Sequence, residues 1–226
     1  MEVIICDKGS MGIQAKNTYN SLEESAGRGF WFVLIPENKD EYLEAKDWAA
    51  DEQYVVICNP KNNIGSYVDR NKVYSLYPKA DWITRVSPGV IFTPDYFSYL
   101  NTHRNDPTIG AIGAIGYFIH GNWEGISGNE VPPKHVAHVL DDCLWSWKVD
   151  SYRYEPPFNN ICLGNYDHQF HIHKLGKNCL TAPSSCVQFI PEELTYDETL
   201  FDAVKFLSNK WSRELDFLKT SEITRI

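Results

Sequence analysis

DWITRVSPGVIFTPDYFSYL, residues 81–100, reads as a strand, a tight turn and the start of a helix. DWITRV (81–86) is rich in β-branched and aromatic side chains, as a strand requires. Ser87-Pro88-Gly89 has turn chemistry, because proline presets one backbone angle and glycine tolerates the conformations that other residues avoid. Thr93 then stands where a helix cap belongs and Pro94 at the first helical position. Tyr96, Phe97 and Leu100 supply the helix with an apolar side.

Upstream, VIIC (3–6), WFVLI (31–35) and YVVIC (54–58) are runs of the same kind, spaced so that a helix fits between each pair. Residues 40–50 place Tyr42, Ala45 and Ala49 on one helical face, and residues 67–77 do the same with Val73, Leu76 and Tyr77. This alternation predicts an α/β fold with a largely parallel sheet covered on both faces. Downstream the character changes. Residues 110–134 are rich in Gly and Pro, and HVAHVLDDCLWSW (135–147) reads as one strand bearing aromatics, so mixed β structure is expected. Residues 165–175 suit a short helix stopped by Gly176. A last helix is expected from the Thr195-x-x-Glu198 capping box, with Leu200, Val204, Leu207, Trp211, Leu215 and Leu218 at helical spacing.

The 226 residues carry 21 basic and 30 acidic side chains, a net charge of −9, which argues against a general phosphate-binding surface. The longest weakly polar stretch, 109–119, is far short of the ~20 apolar residues of a membrane span. The start MEVIICDKGS lacks the basic segment and long apolar core of a secretory signal. Cys6, Cys58, Cys143, Cys162, Cys179 and Cys186 form no CxxC pair, so reduced thiols and a cytoplasmic location are expected. His168, His171 and His173 lie within six residues, but no acid stands at H-E-x-x-H spacing and His173 points off the face that the other two share, which disfavours a zinc site.

Several segments, in order, resemble the family 2 glycosyltransferases of the GT-A fold. NNIGSYVDRNKVYSLYPKADWI (62–83) is similar to the family's N-x-G-x-x-x-A-R-N pattern: Asn63, Gly65, Arg70 and Asn71 match, and Asp69 replaces the usual Ala. Residues 80–113 resemble the family's strand, metal loop, P-[DE]-[YF] helix and D-P-x-x-G-A-x-G run, and LFDAVKFLSNKW (200–211) its closing helix. The resemblance implies a GT-A fold in a single domain over 1–226, with a nucleotide-binding half (1–110) and an acceptor-side half (111–226) that includes the C-terminal helix. It further implies an inverting transfer of a sugar from a UDP-, GDP- or dTDP-sugar to the hydroxyl of a glycan or other acceptor. Asp7 and Glu37 become candidates to hold base and ribose, and Arg70 to grip the diphosphate with a forked pair of bonds.

The departure lies in the metal motif. The family's Asp-x-Asp falls on Ser87 and Gly89, and Gln188 stands near the place of a late histidine ligand, so no resident divalent metal is expected. Arg70, Arg85 and the amides of Ser87 and Gly89 are left to meet the leaving diphosphate. The resemblance points to Asp167 as general base, with Asp141 and Asp142 in reserve. Trp145, Trp147, His171 and His173 are candidates to contact the acceptor, although core packing is the alternative for the tryptophans. Two other functions stay open: a nucleotide- or glycan-binding module without catalysis, and a phage-type transferase acting on modified DNA bases.

Overall fold

The computed structural model describes residues 2–7, 11–26, 29–58, 71, 73, 75–119, 130–150, 152–154, 161–189, 207, 210 and 211. The motif residues Asn63, Gly65 and Arg70, and the capping box at 195–198, lie outside these.

Strand β1 (Glu2–Asp7) is followed by α1 (Ile13–Ala26), β2 (Phe30–Ile35), α2 (Lys39–Ala49) and β3 (Val55–Ile57). β2 is apolar at every position and almost wholly buried, as a parallel strand covered on both faces must be. α2 starts at Asn38, whose side-chain oxygen accepts from the Glu41 amide at 3.0 Å, with Asp40 and Glu41 complementing the helix dipole in the first turn. The chain returns to the middle of the sheet with β4 (Trp82–Val86), which pairs in parallel with β1. Before it, residues 71, 73, 75 and 76 are helical.

After β4 come β5 (Ile91–Phe92), α3 (Pro94–His103), β6 (Ile109–Gly113) and β7 (Gly116–Tyr117). Pro94 opens α3 as expected, but the Thr93 hydroxyl does not cap it: it donates to the Ser185 carbonyl at 2.6 Å and ties the helix start to a later turn. The segment read as one strand over 135–147 is three: β8 (Val136–Ala137), β9 (Val139–Leu140) and β10 (Leu144–Lys148). The breaks fall where Asp141 receives the Cys143 amide and where β9 turns away to pair with β7. α4 (Ile161–Lys174), β11 (Asn178–Thr181) and β12 (Val187–Phe189) complete the described elements.

Eight strands form one sheet in the order β3-β2-β1-β4-β10-β6-β11-β8, in which β10 and β8 run against the rest. Alternate residues feed two cores. Ile4, Phe32, Trp82 and Val86 pack with Tyr19, Leu22, Tyr96 and Leu100 of α1 and α3. Val3, Ile5, Ile83, Trp145 and Trp147 pack with Phe170 and Ile172 of α4 and with Leu207 and Trp211. β1 leads outward to β2 and β3, and β4 returns to its other side, so the order of strands reverses between β1 and β4. In open α/β sheets the ligand crevice lies beyond the carboxyl ends of the strands at such a point.

Candidate functional site

Asp7 is the last residue of β1, and the pairing of Cys6 with Val86 sets it beside the end of β4. Alternation puts Asp7 and Arg85 on the face that carries Ile5 and Ile83. Arg85 is fully buried. Its Nε donates to Asp7 Oδ1 at 2.8 Å and its Nη1 lies 3.7 Å from Asp142 Oδ1. Asp142, at the entry to β10, completes a buried group of two carboxylates around one guanidinium. Neither Asp142 oxygen has a hydrogen-bond partner. Asp141 beside it is half-buried and held from two sides: Tyr117 OH donates to Oδ2 at 3.2 Å and the Cys143 amide to Oδ1 at 2.7 Å.

The Ser87-Pro88-Gly89 loop is locked from within. The Ser87 amide donates to the Cys143 carbonyl at 2.8 Å, and the Gly89 amide to the Gln14 carbonyl at 3.2 Å and to Thr18 Oγ1 at 2.9 Å. Gly89 has φ +94°, a left-handed conformation that favours glycine. The expectation that these two amides meet a phosphate is therefore corrected, because both are spent holding the loop to α1 and β10. The loop also does not fit a divalent ion of the Asp-x-Asp kind. It offers one hydroxyl, and the carboxylates nearby share Arg85. Among the described residues no three His, Cys, Asp or Glu side chains gather as a metal site.

Asp167 sits more than a turn into α4 and is fully buried. Its Oδ2 receives Tyr152 OH at 2.6 Å and Lys210 Nζ at 2.9 Å, and its Oδ1 receives Trp211 Nε1 at 2.6 Å. Three donors on one buried carboxylate occupy most of its acceptor sites. Here Asp167 ties Lys210 and Trp211 to α4.

Sequence reasoning passed over VDSYRY (149–154), whose signal is the two-residue alternation of Asp150, Tyr152 and Tyr154. Tyr152 stacks on the His168 ring at 4.3 Å, Tyr154 OH lies 3.3 Å from His168 Nδ1, and Asp150 Oδ1 lies 3.5 Å from His168 Nε2. Burial pushes the His168 imidazole below its ordinary pKa, against the pull of Asp150. Asn71, expected at the nucleotide, brackets the Tyr154 backbone instead: its Nδ2 donates to the Tyr154 carbonyl at 2.9 Å and its Oδ1 accepts the Tyr154 amide at 3.0 Å.

Trp145 and Trp147 are fully buried with ring centroids 4.4 Å apart, so the acceptor role is corrected in favour of the core. His173 Nε2 lies 2.8 Å from the His138 carbonyl, and His171 lies beside Tyr152 with centroids 5.5 Å apart. Glu37 is exposed just beyond the carboxyl end of β2, on the rim, and its amide donates to Glu41 Oε2 at 2.9 Å. The described cysteines form no disulfides, and no described helix is long and apolar enough to cross a membrane.

No protein-family model matches the chain, and none of the curated proteins does. Solved structures do. The 1–349 fragment of TarS from S. aureus superposes with a TM-score of 0.61 at 10% identity, over 94% of this chain and 66% of that one. The same fragment in complex with UDP has a TM-score of 0.62 at 9% identity. GalNAc-T7, solved with UDP, GalNAc and Mn²⁺, has a TM-score of 0.60 at 11% identity, over 81% of this chain and 42% of that one. The chain thus spans two thirds or less of the length of these structures. At these identities the likeness is one of architecture, and the large, mostly parallel sheet with its switch point between β1 and β4 is that of the GT-A fold.

Proposed function

We propose that the chain is an inverting glycosyltransferase, moving a sugar from a nucleotide diphosphate to an acceptor hydroxyl without an Asp-x-Asp-bound metal. The observation that carries this reading is the buried Asp7–Arg85–Asp142 group at the switch point of a GT-A sheet. A buried ion cluster costs desolvation and is weak evidence of stability, so its place in a ligand crevice points to function. The solved neighbours with UDP bound support a nucleotide donor. The match of Asn63, Gly65 and Arg70 to the family pattern leaves Arg70 to meet the diphosphate.

The base is best assigned to Asp141. It is partly open, and Tyr117 and the Cys143 amide fix its orientation, whereas Asp167 is fully buried and already accepts three hydrogen bonds. In this role Asp141 takes the acceptor proton as the acceptor oxygen attacks the anomeric carbon and the diphosphate leaves from the opposite face.

The test is a panel of UDP-, GDP- and dTDP-sugars, read as nucleoside diphosphate release with and without EDTA. Release is expected from one nucleotide class, unaffected by EDTA, and Asp141→Asn should lower kcat roughly 10²- to 10⁴-fold with nucleotide affinity unchanged. Nucleotide binding with no release from any donor would favour the binding-module reading. Activity lost to EDTA and restored by Mn²⁺ would overturn metal independence.

A further inference from the structure

Leu140 ends β9 immediately before Asp141, and its backbone is gripped from another layer of the fold. Gln169 of α4, fully buried, accepts the Leu140 amide at 2.5 Å and donates to the Leu140 carbonyl at 3.2 Å. The chain on either side of Leu140 is tied to β7 and the residue before it. There the His138 amide donates to the Tyr117 carbonyl at 3.1 Å, and the Asp141 amide to the Ile115 carbonyl at 2.8 Å. β7 has no room to slide, since even one carbon added at Gly116 would lie 2.7 Å from both Ala137 and Thr181. The Asp141 side chain completes the set: Tyr117 O–H donates to Oδ2 at 3.2 Å and the Cys143 amide to Oδ1 at 2.7 Å, although this carboxylate is only half-buried.

A carboxylate open to water on one side finds hydrogen bonds in solvent, so stability alone gains little from holding both of its oxygens. A proton acceptor gains far more, because a misplacement of about 1 Å at a reacting group can cost about a hundred-fold in rate. We propose that Tyr117 and Gln169 are positioning residues for Asp141. Tyr117 fixes the plane of the carboxylate, and Gln169, from α4, fixes the backbone that carries it. Neither touches the reacting atoms. As the acceptor oxygen bonds to the anomeric carbon its O–H bond breaks and the proton passes to Asp141, while the diphosphate departs with the electron pair of its bond to that carbon. The two residues set the distance over which the proton moves. This rests on the reading of Asp141 as the base and adds the part of the fold that keeps it in place.

The probe is nucleoside diphosphate release from the preferred donor among the UDP-, GDP- and dTDP-sugars, with water as the acceptor. Isothermal titration with the bare nucleoside diphosphate counts the binding-competent molecules. Tyr117→Phe and Gln169→Met are each expected to lower kcat per binding site about ten- to a hundred-fold, with KM for the donor and Kd for the diphosphate within about two-fold of the unaltered protein. A merely structural role would lower the melting temperature or the number of binding sites and leave kcat per site unchanged, and that result overturns the proposal. Tyr117 is partly exposed, so Tyr117→Phe decides the matter if Gln169→Met does not fold. Turnover lost in Asp141→Asn but complete in both positioning variants overturns the positioning roles alone. Full kcat in Asp141→Asn overturns the base reading and this inference with it, and release from no donor overturns the enzyme reading on which both stand.

Discussion

Asp167 and His168 are buried neighbours on α4 with different partners. Asp167 accepts three hydrogen bonds, one of them from the Lys210 ammonium, so Asp167→Asn should cost about 1.5–3 kcal/mol, the range for hydrogen bonds to a charged group, and lower the melting temperature. A base at the crevice would instead leave stability intact and abolish turnover, so a melt and an activity assay on the one variant separate the two roles. His168 is buried among Tyr152, Tyr154, Trp145 and Trp147, and burial lowers its pKa from 6.5; burial lowers that of His173 too. The unfolded chain therefore takes up these protons first. Stability is complete above the unfolded value near 6.5 and falls as the pH drops below it, by at most about 1.4 kcal/mol per pH unit for each histidine. For Asp150, burial works upward but the His168 bond and charge prevail and hold the carboxyl low, so its own contribution disappears only in stronger acid. Denaturant unfolding between pH 7.5 and 5 should show this decline, and His168→Gln should leave only the share due to His173.

Two side-chain amides do at the scale of elements what a missing strand would do. Asn71 pairs with both polar groups of Tyr154. Gln169 does likewise for Leu140, accepting its amide at 2.5 Å and donating to its carbonyl at 3.2 Å. Each amide ties a helical residue to a backbone segment whose groups would otherwise be buried unpaired, so Asn71→Ala should destabilise by about 1–3 kcal/mol, the sum of two neutral bonds. Thermal melting checks it, and Asn71→Asp, which keeps the acceptor but loses the donor, should recover part of the loss. β7 packs even more closely. A Cβ on Gly116 would lie 2.7 Å from both Ala137 Cβ and Thr181 Cγ2, so Gly116→Ala forces β7, β8 and β11 apart. The expected cost is about 1–3 kcal/mol, read from the denaturation midpoint.

Across the whole molecule the sheet brings residues far apart in sequence to one end. Asp7, Arg85 and Asp142 come from three segments and meet because β4 lies between β1 and β10. A ligand that binds only this folded arrangement raises the melting temperature, by about 2.7 kcal/mol of stability at a hundred times its Kd. The preferred nucleoside diphosphate should do so equally with and without EDTA. A shift that needs added metal would place the missing carboxylates outside the described residues.

The first half of the fold was legible because each parallel strand is buried on both faces and so appears as an unbroken apolar run, WFVLI most plainly, with polar-faced helices between. The turn at Ser87-Pro88-Gly89 between β4 and β5 was legible too, since turn chemistry is a matter of residue type alone. The division of 135–147 into three strands was not: all three are built from the same apolar letters, and what separates them is pairing with β7, β11 and β4. Nor could the linear order show that Asp167 is held by Tyr152, Lys210 and Trp211, or that the Ser87 and Gly89 amides are spent on Cys143, Gln14 and Thr18. Periodicity reports which side of an element faces the core. The partner of a polar group is fixed by contacts between distant segments, so only the tertiary structure decided which acids, Asp167 above all, are held by other parts of the chain.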